Sequence, residues 1–426
     1  MSRRNVILLV IVLILATIAF IGYLYLRGTG VLQREPGEGT NFIDQYNPFG
    51  GGTQKPPTTP PPTDVSGVEP PPEEEVTNAK LKKVSSMPVA GFGLFTKERI
   101  KDPAPLTGPK TEFVAAVRYV ERATGNIFQT FADKIEERKF SKTVIPKIYE
   151  AYFGARAESV VMRYLQTNEE TIQTFVSVLP KESLGAEPAA ENDITGTFLP
   201  ENVRDVSISS DGLKMFYLFN LGENAIGTTL NFSDKRRTQI FENAFTEWNS
   251  FWPRSSMITL TTKPSFGVLG YMYSLDPVSR KFSQVMGGVS GLTTLTSPDG
   301  RIVLYSDSNL FSYIYDISTK NSTLTGVKTL AEKCVWGKNS DVVYCAVPKS
   351  LGSGLYPDSW YQGEVSFFDQ LWKIDIKTGS TTMLADPGNT VGAEEVDGIK
   401  LGLDEGENYL FFVNKKNSLL WEFGLK

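Results

Sequence analysis

The sequence predicts an all-β protein: a seven-bladed β-propeller of four-stranded blades, preceded by one transmembrane helix and a disordered Pro-rich tether. Three observations carry that reading. A long uncharged apolar run stands near the N-terminus. A hairpin signature returns at regular spacing through most of the chain. The two ends of the folded part each look incomplete, and a closed ring completes both.

The apolar run follows Ser2-Arg3-Arg4 and extends from Asn5 to Leu26, dense in Ile, Leu and Val. About 20 apolar residues at 1.5 Å rise cross a hydrocarbon core of roughly 30 Å. The run is longer than a cleaved signal's apolar region and ends in Tyr23-Leu24-Tyr25-Leu26-Arg27, without a small-x-small cleavage motif. Tyrosines suit a membrane interface, and Arg3 and Arg4 on the short tip favour keeping residues 1–4 in the cytoplasm. The expectation is an uncleaved anchor at 5–26 with the rest of the chain exported.

Residues 27–80 show no apolar periodicity. They contain Gly50-Gly51-Gly52, Pro60-Pro61-Pro62 and Pro70-Pro71-Pro72, then Glu73-Glu74-Glu75. Such a composition buries too little apolar surface to fold and favours extended polyproline II. It reads as a spacer.

From Leu81 onward the pattern is short strands between turn residues. Ser209-Ser210-Asp211-Gly212 precedes the apolar stretch Met215-Phe216-Tyr217, and Ser297-Pro298-Asp299-Gly300 precedes Ile302-Val303-Leu304-Tyr305. Asp-Gly supplies the positive φ that a tight hairpin needs. Looser copies are Gly337-Lys338-Asn339-Ser340 and Asp404-Glu405-Gly406-Glu407. A second corner recurs as Asp316-Ile317-Ser318-Thr319 and as Asp375-Ile376-Lys377-Thr378-Gly379, and Tyr119–Gly125 and Tyr273–Pro277 read as the same corner. Asp211 and Asp299 stand two units apart, which gives roughly 44 residues per unit, the size of a four-stranded blade. The last unit has three strands, and Leu81–Val89 belongs to no complete unit. Pairing that segment with the strand at Asn417–Leu425 closes a ring and covers an exposed edge. The propeller is therefore placed at 81–426.

These Ser-Pro-Asp-Gly hairpins and Asp-x-x-Thr-Gly corners resemble the WD-repeat-like propellers of the TolB type. The resemblance implies the fold over residues 81–426. Membrane-anchored propellers of bacterial envelopes, whose role is unknown, are similar in layout. An anchor and a Pro-rich tether stand here where TolB has an additional domain, so its role does not carry over.

The chemistry is narrowed mainly by exclusion. The 426 residues include no histidine, which rules out a Ser-His-Asp triad, a Cys-His pair and a His-ligated zinc within this chain. A net charge of −5 argues against nucleic acid as a partner. No metal site and no cofactor are expected. Gly91-Phe92-Gly93 and Gly352-Ser353-Gly354 continue into no phosphate-binding motif and read as turns. Glu394, Glu395 and Asp397 read as a solvated loop or, alternatively, as a patch for a cation or a basic partner.

Two features remain as sites. In the sixth blade the stretch from Lys349 to Gln370 separates the second and third strands and carries Tyr356, Asp358, Trp360, Tyr361, Phe367 and Phe368. Loops this long are usually functional or disordered, and this one is too aromatic for disorder. It is either a lid folded on its own blade or a surface for a partner or ligand. Cys334 and Cys345 flank a hairpin. A disulfide forms if they lie directly opposite, and two buried free thiols remain if the register slips by one. The functional expectation is a tethered scaffold that binds a protein or polymer at the cell envelope. The alternatives are a small-molecule or saccharide module in the propeller funnel and a histidine-independent glycoside hydrolase.

Overall fold

The computed structural model describes residues 80–101, 108–182, 184, 192–389 and 394–426. The expected cytoplasmic tip at 1–4, the expected membrane helix at 5–26 and nearly all of the expected linker at 27–80 lie outside the described residues. Among the described residues no helix is long and apolar enough to cross a membrane.

Seven antiparallel sheets of four strands each make up the chain from Leu81 onward. Their innermost strands are Val89–Ile100, Ile148–Phe153, Asp205–Ile208, Trp248–Arg254, Thr293–Thr296, Cys334–Trp336 and Gly398–Leu403. Inner strands of neighbouring sheets pack side by side around a central channel, and each chain segment then runs outward through its blade. The fold is a seven-bladed β-propeller.

Position within the blade explains the strand patterns. Second strands lie between two neighbouring blades and are buried on both faces, as in Val342–Pro348 and Tyr409–Asn414. They therefore read as continuous apolar runs. Outer strands such as Ser322–Lys328 keep few buried residues. Aromatic and aliphatic residues fill the space between blades: Phe216, Trp248, Trp252 and Leu260 unite blades 3 and 4 in one cluster.

The recurring turns have a common geometry. Ser209 Oγ donates to Asp211 and accepts from the Lys214 amide, while Gly212, at φ 68°, donates to the Ser209 carbonyl. Ser297, Asp299 and Gly300 repeat it. In the looser copies the left-handed position is held by Ser340 and Glu407, at φ 61° and 51°. The corner at Asp276, Asp316 and Asp375 is an Asx turn, each carboxylate accepting backbone amides two or three residues on. Tyr119–Gly125 is a different corner. It joins the second and third strands of blade 1, on the opposite face, and resembles the others because Glu121 accepts the amides of Ala123 and Thr124 in the same way.

The ring closes between the ends of the propeller. Leu81–Lys83 is the outer strand of blade 7, with Leu81 opposite Phe423 and Lys83 opposite Trp421. The pairing strand is shorter than Leu81–Val89, because residues 84–88 must cross from the rim to the channel and Val89 already begins the inner strand of blade 1. Gly91 and Gly93 are not turns. They lie inside that inner strand, where a Cβ would stand 2.0 Å from the Ala151 carbonyl oxygen and 2.4 Å from the Phe153 Cβ. Their small size sets how closely blades 1 and 2 approach. In blade 6, Cys334 lies directly opposite Cys345 with a Cα separation of 4.1 Å, and a disulfide joins them.

Candidate functional site

The long connection of blade 6 runs from Lys349 to Phe368, between the strands Val342–Pro348 and Asp369–Asp375. It contains a single helical turn, Asp358–Tyr361, which Gly363 follows at φ 80°. Ser359 Oγ accepts the Leu355 amide and tightens the approach to that turn. Tyr356, Trp360 and Phe367 then collapse into a small core with Leu310 and Leu330, flanked by Ile399 from blade 7. The Trp360 and Phe367 rings stack at 5.9 Å.

The segment reaches beyond its own blade. The Asp358 carboxylate accepts from Ser265 Oγ at 2.9 Å and from the Phe266 amide, both in the loop joining the second and third strands of blade 4. It thus spans blades 6 to 4 across one face of the ring, and Trp360 lines the channel beneath. The aromatic insertion is a lid.

A buried ionic cluster fastens it. Lys333, with no exposed side-chain surface, lies 2.5 Å from Asp397 and 2.8 Å from Asp369, which are equally buried. Asp397 accepts further bonds from the Trp360 indole at 2.9 Å, the Phe367 amide at 3.0 Å and Ser366 Oγ at 3.2 Å. Lys333 also lies 5.0 Å from the Trp360 ring centre and 5.2 Å from that of Phe367. Lys415 covers the outer face of Trp360 at 4.0 Å and donates to its carbonyl. Burial works against the Asp397 carboxylate, yet Lys333 and the lid's donors outweigh it and hold the pKa below the ordinary value. Burial dominates at Asp369 and raises its pKa to about 6, although Lys333 opposes it. Asp369 accepts the Gly398 amide through one oxygen, and its other oxygen has no protein partner.

These contacts place the six aromatic and acidic lid residues in two groups. Tyr356, Trp360 and Phe367 are interior to the lid, and Asp358 is its far staple. Tyr361 and Phe368 are each 40% exposed. Tyr361 donates to Glu332 Oε2 at 2.9 Å at the channel wall, and Lys416 lies 3.6 Å over the Phe368 ring. Of the three clustered acids, Asp397 is no solvated loop residue: it is the anchor of the lid. Glu394 and Glu395 remain at the surface, paired with Lys83 and Lys416. Lys333, Asp369 and Lys415 were not legible as a site, because they come from three segments far apart in the sequence. The local signal was a charged pair, Glu332-Lys333, between the apolar residues Leu330-Ala331 and Cys334-Val335-Trp336.

The channel under the lid holds a cavity of about 710 Å³, with Phe92, Glu150, Tyr152, Phe251, Glu332 and Lys400 in its wall. Its acids are engaged. Glu150 pairs with Arg163 at 2.5 Å, and Glu332 accepts from the Tyr361 hydroxyl at 2.9 Å. Among the described residues no group of three or more Asp, Glu or Cys is arranged to hold a metal ion.

Fold and site together define a seven-bladed β-propeller with an aromatic lid stapled from blade 6 to blade 4 on one face and Trp360 in the channel wall. No family model matches the chain. No curated protein matches it. Solved structures similar to it include TolB from Acinetobacter baumannii, at 11% identity and TM-score 0.41, over 69% of this chain and 79% of that one. An oligogalacturonate lyase in complex with manganese is similar at 10% identity and TM-score 0.46, over 80% and 99% of the two chains. The tricorn protease is similar at 13% identity and TM-score 0.48, and this chain spans 35% of its length. The fold assignment rests on the strand order of the seven sheets.

Proposed function

We propose that the protein is a membrane-tethered, extracytoplasmic interaction scaffold that presents the lid face of its propeller to a protein or polymer at the cell envelope. One observation carries this reading. The lid is held by Lys333, Asp369 and Asp397, yet it leaves Tyr361 and Phe368 part-exposed, and Leu355 and Phe266 are exposed at 56% and 46%. Aromatic residues on a pre-organised support are the usual anchors of interfaces, because little conformational entropy is lost on contact. The apolar run at 5–26 and the Pro-rich stretch at 27–80 support the tether, and the disulfide suits an oxidising compartment.

The test is a photoreactive residue introduced at Phe368 in living cells, compared with one at Ser318 on the opposite face. A discrete adduct from position 368, absent from 318 and removed by protease added to intact spheroplasts, is the expected result. Equal adducts from both positions would refute the lid face, and a protected adduct would refute the extracytoplasmic placement.

The channel cavity favours a second reading, a small-molecule or saccharide binding module. A hydrolase of the carboxylate type needs two convergent acids roughly 5–10 Å apart. Glu150 and Glu332, the acids of the cavity wall, are already held by Arg163 and Tyr361.

A further inference from the structure

The inner strand of blade 7 is interrupted where it borders the channel. Ile399 pairs with Val413 and Gly402 with Phe411, so Lys400 and Leu401 together oppose a single residue, Phe412. This is a β-bulge. Lys400 occupies the left-handed region at φ 52°, a conformation that a lysine adopts only under constraint from its surroundings. The bulge turns the Lys400 side chain toward the neighbouring blade 1 along the channel wall, where Nζ donates to the Ala90 carbonyl at 2.7 Å and lies 5.9 Å from the Tyr152 ring centre of blade 2.

No carboxylate among the described residues forms an ion pair with this ammonium. Glu150, the nearest acid in the same wall, is committed to Arg163, and Glu332 accepts from Tyr361. Burial, the dominant influence, disfavours the charged form of Lys400; Glu150 opposes it from a distance, and the positive charges of Arg122 and Arg163 add to it. The remaining wall includes Phe92, Leu94, Ile208 and Phe251. The cavity is accessible to solvent: Phe251, in its wall, is 39% exposed. A volume of about 710 Å³ lies within the range of small-molecule sites.

We infer that this chamber binds a small organic monocarboxylate, with its carboxylate on Lys400 Nζ and its apolar body against Phe92, Leu94, Ile208 and Phe251. The charges select the class. One ammonium without an ion-pair partner matches one negative charge, and the apolar wall takes up an organic body that inorganic phosphate lacks. A neutral isostere would leave the desolvated ammonium without a counter-charge. The site is independent of the lid's outer face, so its failure would leave the scaffold reading standing.

Titration calorimetry of the full chain in detergent tests the inference, with phenylacetate as the probe, phenylacetamide as its neutral isostere and inorganic phosphate as the small-anion control. Phenylacetate is expected to bind at least about tenfold more tightly than phenylacetamide. Lys400→Met should lose about tenfold in phenylacetate affinity, and Lys400→Arg should stay within about threefold of the unaltered protein. Equal affinity for acid and amide, absence of phenylacetate binding, or phosphate binding as tight as phenylacetate would overturn it. If Lys400→Met fails to fold, the acid-to-amide comparison on the unaltered chain decides alone.

Discussion

The lid and the ring seam each bury a carboxylate completely, and they treat it in opposite ways. Under the lid, Asp397 meets Lys333, an indole, a hydroxyl and a backbone amide, and it remains ionised. At the seam, Glu422 sits in the C-terminal strand opposite Lys82, and one of its carboxylate oxygens has no partner. Burial first, and then the charges of Asp133 and Asp404, push its pKa up to about 8, with Lys82 opposing. A buried charge survives where the fold supplies a cation and several donors. Where it does not, the group keeps its proton.

The largest expected effect breaks the lid side of that comparison. Lys333→Met leaves Asp397 and Asp369 buried without their cation and should destabilise the propeller by about 3–5 kcal/mol in denaturant melts. Adding Asp369→Leu and Asp397→Leu should restore part of the loss, because the stranded charges go with it. An unaltered midpoint for Lys333→Met would show that the cluster does not hold the lid.

Next comes the seam itself. Removing residues 1–83 takes away the three-residue closing strand and its ladder and should cost about 3 kcal/mol with visible aggregation, at roughly 1 kcal/mol per backbone hydrogen bond. Removing residues 1–75 should leave the midpoint in place. Equal melting of the two truncations would remove closure as a source of stability.

The smallest effect sharpens the contrast at Glu422. Its folded pKa of about 8 lies above its ordinary value of 4.5, so the folded state binds the extra proton between those limits. Stability from this group is therefore greatest below about pH 4.5, falls as pH rises and levels off above about 8. Glu422→Gln should flatten that slope and raise stability at pH 9 by about 1–2 kcal/mol. Unchanged pH profiles would mean that Glu422 is solvated and ionised in the fold.

Much of the ring was legible because its signals are local. Asp211-Gly212 and Asp299-Gly300 declare a positive φ, the paired turns recur at blade spacing, and second strands announce two-sided burial by continuous apolar runs. The errors were local resemblances with different tertiary settings. Gly91 and Gly93 read as a turn because glycine pairs usually mark one, but the reason for them is the Ala151 carbonyl and Phe153 of the next blade. The corner at Tyr119–Gly125 copies the Asx geometry on the other face. The lid was visible as an insertion with aromatic residues, yet which rings face inward was not.

By itself the sequence determined the blade repeat, the hairpin chemistry, the closing strand, the position of the insertion and the absence of any histidine chemistry. Each of these depends on residues a few positions apart or on a count. The tertiary structure alone decided that Lys333, Asp369 and Asp397 meet beneath Trp360, that Asp358 crosses to blade 4, and that Lys400 turns along the channel wall toward blade 1. These contacts join residues from different blades, and the distances between them are set by ring closure and blade packing, which no local spacing in the chain encodes.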